Sequence, residues 1–204
     1  MRWAERFFDA FMYPLEAVAF SRRRRARMRS VSGRVLEIGA GTGVNLSHYS
    51  FSKIDQLHLS DLTLTNSVQA RVPTGVLTGV LTPGTEIFYH EVDVQSLPFD
   101  DAVFDHVVST LVFCSVPDPA RGLAEIRRVL KPDGSLVFIE HVKPDIGILR
   151  QVVDVLNPVW RSFNGECNLN RDTLSEMRRA GFTIQDVHRG GRGLVVDGIA
   201  RPAE

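Results

Sequence analysis

The fold of this 204-residue chain is decided by residues 34–45, which read R-V-L-E-I-G-A-G-T-G-V-N. An apolar run too short for a helix leads into three glycines at alternate positions, and a mixed polar and apolar stretch follows. This pattern predicts a buried strand, a tight turn and the start of a helix, the first unit of a doubly wound α/β sheet. Glycine suits the turn because some positions need positive φ and because a ligand must come close to the backbone. The N–H groups that open the helix favour an anionic group such as a carboxylate.

The spacing of the glycines indicates the type of ligand. A dinucleotide fingerprint reads G-x-G-x-x-G, but Val44 stands where its third glycine would be. Glu37 lies two residues before Gly39 and completes the pattern E-x-G-x-G-x-G. In this motif the chain resembles the class I S-adenosylmethionine-dependent methyltransferases, whose first motif it matches at every position. The turn alone is also compatible with a plain tight turn, so the neighbouring motifs must support the interpretation.

Length and composition predict one ordinary globular domain, with 44% apolar and 24% charged residues. The net charge of zero gives no bulk electrostatic reason to expect a nucleic-acid partner. No transmembrane helix or signal peptide is expected, which predicts a cytoplasmic location. Cys114 and Cys167 lie far apart and match no metal-ligand spacing, so we expect no metal site.

Positive charge is concentrated near the N-terminus, where residues 1–34 hold nine arginines and three acids. Residues 2–12 place aromatic side chains on one helical face, and an arginine-rich run follows at 22–29. Such a segment either caps the domain or lies at an anionic membrane surface. We favour the cap, which divides the chain into an N-terminal helical cap at 1–32 and a catalytic domain at 33–204. Peripheral membrane contact through residues 1–29 is the alternative.

Two acids follow predicted strands at the ligand edge of the sheet. Asp61 ends the strand at 54–61, 22 residues after Gly39, where nucleotide-binding α/β folds keep an acid for the ribose hydroxyls. A carboxylate suits that role because it accepts two hydrogen bonds from a vicinal diol. In the methyltransferases that the chain resembles, the acid after the third strand lies by the adenine amino group, and here that acid is Asp93.

Two further family motifs occur in the expected order. They read L-P-F-D at 97–100, continued by F-D-H-V-V-S at 104–109, and R-R-V-L-K-P-D-G-S-L-V-F at 127–138. The resemblance implies a Rossmann-like, seven-stranded sheet that is mostly parallel, with the last strand antiparallel. The other strands are expected at 35–38, 87–92, 103–109, 135–140, 182–187 and 194–199, with a turn at 131–134. Helices are expected at 63–72, after Asp118, at 146–163 with an interruption at Pro158, and after Asp172 as N-cap.

Within the class, the chain is most similar to the methyltransferase-domain-11 group, whose best-known members are the UbiE-like enzymes of quinone biosynthesis. The segment G-E-C-N-L-N-R-D-T at 165–173 resembles one in small methyltransferase-like thiol and phospholipid methyltransferases. The resemblance implies S-adenosylmethionine as cofactor and a small, partly lipophilic acceptor, such as a thiol, a phenol or quinone, or a phospholipid amine. The expected cofactor-binding residues are Glu37, Gly39, Ala40, Gly41, Thr42, Gly43, Asn45, Asp61, Leu62, Asp93, Val94 and Thr110.

The acceptor is expected at the same edge of the sheet. His141 follows the fifth strand there and is the candidate catalytic residue, because a histidine can accept a proton near neutral pH. The alternative is a structural histidine bonded to backbone. The methyl group of a sulfonium is already activated, so the protein mainly aligns the reactants and excludes water. The candidate substrate-binding residues are Cys114, Trp160, Asn168 and Arg171, although free cysteines also pack as small hydrophobic residues.

Two rival functions remain at this point. One is a catalytically silent methyltransferase-like module that holds a membrane or RNA through the basic N-terminal segment. The other is a nicotinamide-dependent oxidoreductase, which Val44 disfavours. The intact cofactor motifs favour the enzyme over the silent module.

Overall fold

The computed structural model describes residues 20–203 except 65, 67, 71–84, 145–146 and 164–166. The described chain forms a seven-stranded sheet with helices packed against it. The strands are β1 (Gly33–Ile38), β2 (Ile54–Asp61), β3 (Glu86–Glu91), β4 (Phe104–Thr110), β5 (Leu130–His141), β6 (Phe182–Gly190) and β7 (Val195–Pro202). The helices are α1 (Ser21–Met28), α2 (Pro119–Val129), α3 (Gly147–Phe163) and α4 (Thr173–Arg179).

The strand order is β3-β2-β1-β4-β5-β7-β6. Neighbouring strands are parallel except at β7, which is antiparallel to both β5 and β6. The predicted seven-stranded, mostly parallel sheet with an antiparallel last strand is therefore confirmed. From β1 the chain adds β2 and β3 on one side of the sheet and then β4 and β5 on the other. The strand order therefore reverses between β1 and β4, and the carboxyl ends of these two strands border the crevice where such sheets bind ligands.

The sheet is covered on both faces, as an apolar first strand requires. Val35 and Leu36 are both fully buried but belong to different apolar clusters, because successive side chains of a strand point to opposite faces. Leu36 packs in the cluster that contains α2 and α4 residues, and Val35 packs with Met28 of α1. The first strand is thereby held rigidly, and so is the start of the glycine turn.

Three local predictions were wrong. The turn expected at 131–134 lies within β5, which begins at Leu130 directly after α2. Helix α3 is not interrupted at Pro158, which is exposed and lies inside the helix. The glycine turn is followed by a single 3₁₀ turn, Leu46–His48, because the backbone becomes extended at Tyr49. Most of the predicted helix at 63–72 lies outside the described residues.

The arginine run lies partly inside the fold. Arg27 is 5% exposed, and its Nε donates to Asp197 Oδ2 at 2.8 Å. Arg24 is 3% exposed and donates to Thr110 Oγ1 at 3.2 Å and to Asn45. These contacts fasten α1 to the sheet. They also bury two guanidinium groups that a basic docking surface would need to expose. The predicted helices within residues 1–19 lie outside the described residues, and the proposed boundary at residue 32 stays a prediction.

No helix in the part of the chain that the structure describes combines the length and the apolar character that crossing a bilayer requires.

Candidate active site

The glycine turn has the backbone that its sequence predicts. Gly39, Gly41 and Gly43 have φ of 62°, 54° and 77°, in the region that L side chains rarely adopt. A Cβ on Gly39 would lie 2.4 Å from Val112 Cγ2, so no side chain fits there. A Cβ on Gly41 would approach only Gly39 O, at 4.0 Å. The turn thus leaves open space directly in front of the Gly41 backbone.

A cavity of about 250 Å³ lies beside this turn at the carboxyl ends of the strands. Asp61, the last residue of β2, lies in the wall of this cavity. The Asp61 Oδ2 accepts a hydrogen bond from the Gly41 N–H at 2.8 Å. The Asp93 carboxylate accepts hydrogen bonds from the backbone N–H and side chain of Gln95. The predicted residues that line the cavity are Gly39, Asp61, Leu62, Asp93 and Val94, and the unpredicted ones include Ser60, Leu111, Val112, Ser115 and Val116.

A larger cavity of about 520 Å³ lies at the opposite edge of the sheet, beside Arg127, Arg128 and Pro202. It contains none of the predicted site residues. Parallel α/β sheets bind their ligands outside the carboxyl ends of the strands. The smaller cavity is therefore the candidate site.

Three predicted cofactor-binding residues lie behind the turn instead of lining the cavity. Glu37 is 1% exposed and accepts from Asn45 Nδ2 at 2.9 Å and from the Tyr49 hydroxyl at 2.7 Å. Asn45 also donates to Thr110 Oγ1 at 2.9 Å, and Arg24 donates to both of these residues. This buried network joins β1, β4, α1 and the turn. Ala40 is buried nearby and donates its N–H to Ser60 O at 3.0 Å.

The loop after β4 is held by a buried acid that the sequence reasoning missed. Glu140 is fully buried and accepts from Ser109 Oγ at 2.6 Å and from the N–H groups of Val112 and Phe113 at 3.2 Å. Burial raises the pKa of Glu140 to about 7. Leu111, with φ of 59°, lies in the same loop and lines the cavity. The sequence feature that could have indicated Glu140 is its position as a single acid at the end of the almost wholly apolar strand expected at 135–140.

The acceptor-side candidates meet at the carboxyl ends of β4 and β5. The backbone N–H and Nδ2 of Asn168 both donate to the Cys114 carbonyl, at 2.8 and 3.0 Å. Arg171 donates to the carbonyls of Phe113 and Val116 and so holds the loop after β4. The side chain of Trp160 lies outside the described residues.

His141 lies beside both cysteines. Its Nδ1 is 3.8 Å from Cys167 Sγ, and its ring makes a T-shaped contact with the ring of Phe20. A hydrogen bond with the Cys167 thiol, together with burial, raises the pKa of Cys114 well above its usual value. The three side chains place their ligating atoms within 4.8 Å of one another. Their spacing in the sequence gave no indication of this, because three separate segments contribute one residue each.

Comparison with known proteins identifies the family. Residues 36–138, about half of the chain, match the family model described as methyltransferase domain. The chain belongs to this methyltransferase family. Its cofactor is S-adenosylmethionine, in agreement with the predicted class I methyltransferase fold.

Two curated relatives of this methyltransferase differ in their acceptors. Human thiol S-methyltransferase TMT1B is 33% identical over 169 residues, which cover 79% of this chain and 66% of that protein. Phosphatidylethanolamine N-methyltransferase of Cereibacter sphaeroides is 32% identical over 155 residues, covering 76% and 72%. The chain thus spans about two thirds of the thiol methyltransferase.

A solved structure supports the fold. The S-adenosylmethionine-dependent methyltransferase from Mesorhizobium loti superposes with a TM-score of 0.65 and 23% identity, covering 92% of this chain and 99% of that one.

The buried network behind the turn makes the stability of this methyltransferase depend on pH. Burial raises the pKa of Glu37 from 4.5 to about 7, and the hydrogen bonds from Tyr49 and Asn45 oppose this only in part. Between these two pH values the folded state holds a proton that the unfolded state has lost. The contribution of Glu37 to the free energy of unfolding should therefore fall by about 3 kcal/mol as the pH rises through that window, and that contribution should stay level above it.

The comparison of Glu37→Gln with the wild type in urea titrations from pH 4.5 to 8 measures this contribution. The variant should lack that part of the slope, whereas Glu86→Gln, at an exposed position of β3, should parallel the wild type. Parallel curves for Glu37→Gln and the wild type would contradict the prediction.

Proposed function

We propose that this methyltransferase acts on a small, partly lipophilic acceptor: a thiol, a phenol or quinone, or a phospholipid amine. The observation that carries the proposal is an exposed apolar face on α3, the helix fastened to the acceptor side of the site. Ile148 is 79% exposed and Val155 is 74% exposed, and Val152 and Leu156 lie on the same face. Water-exposed apolar groups at helical spacing favour contact with an apolar partner.

Helix α3 is joined directly to the segment that flanks the site. Asn157 is buried, accepts from the Leu169 N–H at 2.9 Å and donates to Asn168 Oδ1 at 3.3 Å. Asp154 accepts from Asn170 at 3.1 Å and pairs with Lys143 at 2.8 Å. An acceptor that approaches along α3 would therefore reach the loop that contacts Cys114.

In this proposal some of the cofactor residues contact S-adenosylmethionine directly, and others support the turn that holds it. The turn formed by Gly39, Ala40, Gly41, Thr42 and Gly43 holds the amino-acid end of S-adenosylmethionine. Asp61 binds the ribose hydroxyls, and the adenine lies against Leu62, Asp93 and Val94. The buried residues Glu37, Asn45 and Thr110 support the turn from behind. The open space before Gly41 and the two carboxylates at the cavity wall support this assignment.

The bound cofactor supplies a methyl group already activated by its sulfonium. The protein must then hold the acceptor in line and keep water out. Cys114, Trp160, Asn168 and Arg171 form the acceptor side in this proposal, with Asn168 and Arg171 fixing the loop after β4. His141 is the catalytic residue, acting on the acceptor at the carboxyl end of β5.

An acceptor panel tests the proposal. The full chain, incubated with labelled S-adenosylmethionine, is offered an alkyl thiol, a phenol, a quinol and vesicles of phosphatidylethanolamine. We expect turnover of at least one of these, with KM falling as the apolar part of the acceptor lengthens. Bound cofactor without turnover of any acceptor in the panel would overturn the proposal.

Substitutions on α3 test the apolar face separately. Ile148→Ser combined with Val155→Ser should raise KM for the lipophilic acceptor roughly 30-fold, because each of the two lost apolar contacts weakens binding by about 1 kcal/mol. The affinity for S-adenosylmethionine should not change. Val187→Ser, at an exposed apolar position on β6, is the matched control. Equal KM values for the double variant and the control would contradict the role of α3.

Replacement of His141 should impair transfer without impairing cofactor binding. His141→Asn is expected to lower kcat/KM by about 100-fold or more, the usual contribution of a group that acts on a reacting atom. Calorimetry should show an unchanged Kd for S-adenosylmethionine. His188→Asn, which changes a histidine of β6 with a side chain 64% exposed, is the control. Wild-type turnover by His141→Asn would remove the residue from the mechanism.

A cytoplasmic location and peripheral membrane contact through residues 1–29 remain part of the proposal. Vesicle sedimentation of the full chain would test the membrane contact.

A further inference from the structure

Three side chains with soft or borderline ligand atoms meet at the carboxyl edge of the sheet. Cys114 follows β4, His141 ends β5 and Cys167 precedes α4. The two sulfurs and a histidine nitrogen lie within 4.8 Å of one another, and Cys167 Sγ is 3.8 Å from His141 Nδ1. Two thiolates and one imidazole form a ligand set that zinc uses in proteins.

We propose that Cys114 Sγ, Cys167 Sγ and His141 Nδ1 bind one Zn²⁺ ion. Ligand atoms of a tetrahedral zinc site lie about 3.5–3.8 Å apart, given Zn–S bonds of about 2.3 Å and Zn–N bonds of about 2.0 Å. The observed separations, none above 4.8 Å, need to contract by no more than about 1.3 Å to reach this geometry. Binding releases the two thiol protons to solvent, so the dication neutralises the two thiolates that form.

The backbone around the three ligands is already held in place. Both hydrogen bonds from Asn168 to the Cys114 carbonyl join the segments that carry the two cysteines. Glu140 fixes the loop that leads to Cys114, and the Phe20 ring makes a T-shaped contact with the His141 ring. Cys114 is buried, whereas His141 and Cys167 are half-buried, which leaves an approach for the ion.

Three protein ligands leave one tetrahedral position for solvent or an acceptor group. In the zinc-bound protein, His141 would act on the acceptor through the ion and not as the proton acceptor itself. That consequence rests on the proposed function, but the binding of zinc does not. Metal content therefore tests the site independently of any methyl transfer.

The test uses the full chain, purified under reducing conditions and loaded with Zn²⁺ alone. After desalting, elemental analysis should find one zinc per chain for the wild type. Loading with Co²⁺ should give a thiolate-to-cobalt charge-transfer band and the intense ligand-field bands of tetrahedral coordination. Cys114→Ser, Cys167→Ser and His141→Asn should each weaken zinc binding by at least about 100-fold, because each removes a direct ligand.

The His188→Asn variant is the matched control and should retain one zinc with the wild-type cobalt spectrum. Circular dichroism and binding of S-adenosylmethionine show whether each cysteine variant is folded. Zinc content below 0.1 per chain in a wild type with two titratable thiols would overturn the proposal. So would full zinc retention by the double variant Cys114→Ser and Cys167→Ser, or a Cys114–Cys167 disulfide that forms in place of metal binding.

Discussion

Replacing Gly39 with alanine is expected to destabilise the protein by roughly 2–5 kcal/mol. The left-handed backbone conformation at φ of 62° costs an L-residue about 1–2 kcal/mol. The new Cβ would also lie 2.4 Å from Val112 Cγ2, and overpacking of this kind costs about 1–3 kcal/mol. A domain of this size loses about 2–4 °C in Tm per kcal/mol, so thermal denaturation followed by circular dichroism should show a fall on the order of 10 °C.

Gly41→Ala separates the two contributions. Its φ of 54° carries the same backbone cost, but its Cβ would meet open space, so it should lose only about 1–2 kcal/mol. A cycle that combines Gly39→Ala with Val112→Ala should show a coupling of at least about 1 kcal/mol, because the smaller side chain relieves the clash. Equal losses for Gly39→Ala and Gly41→Ala, together with zero coupling, would contradict the steric explanation.

Removal of the Asp61 carboxylate should weaken S-adenosylmethionine binding by at least about 100-fold. Hydrogen bonds to a charged group contribute about 1.5–3 kcal/mol each, and the proposed contact with the ribose hydroxyls makes two. Asp61→Ala measured by calorimetry gives the full effect. Asp61→Asn keeps an acceptor for the Gly41 N–H and should lose about tenfold, which distinguishes support of the turn from contact with the ribose.

Asp55→Asn is the matched control, because it changes an exposed acid at the opposite end of the same strand. A cofactor analogue without ribose hydroxyls completes the cycle: it should bind the wild type weakly and lose little further affinity in Asp61→Ala. Wild-type affinity of Asp61→Ala for S-adenosylmethionine would remove Asp61 from the site.

Much of the geometry of the candidate site depends on short segments and was therefore predictable. Gly39, Gly41 and Gly43 form one turn, Asp61 is the last residue of β2, and Asp93 follows the end of β3 by two residues. The positive φ of the glycines is a local property, so their spacing revealed it. The strand-end acids were also predictable, because parallel strands place their carboxyl ends at one edge.

Helix and strand ends were less predictable where long-range contacts outweigh local preference. Pro158 ordinarily breaks a helix interior, yet α3 continues past it, with Asn157 bonded to a neighbouring segment. The 3₁₀ turn after Gly43 ends early, and Tyr49 donates its hydroxyl to the buried Glu37. The sequence pattern predicted surface charge for the arginine run. Arg24 and Arg27 instead donate hydrogen bonds to Thr110 and Asp197 respectively, each more than 80 positions away in the chain.

The family, the order of the motifs and the residues of the glycine turn could be predicted from the sequence, because each of these depends on neighbours along the chain. The folded chain was needed to show that Cys114, His141 and Cys167 lie together and that Glu140 holds the loop beside them. The physical reason is strand adjacency: β4 pairs with β5 although an entire helix separates them in the chain. A local sequence pattern cannot indicate that two side chains lie close together when only the pairing of β4 with β5 brings them into contact.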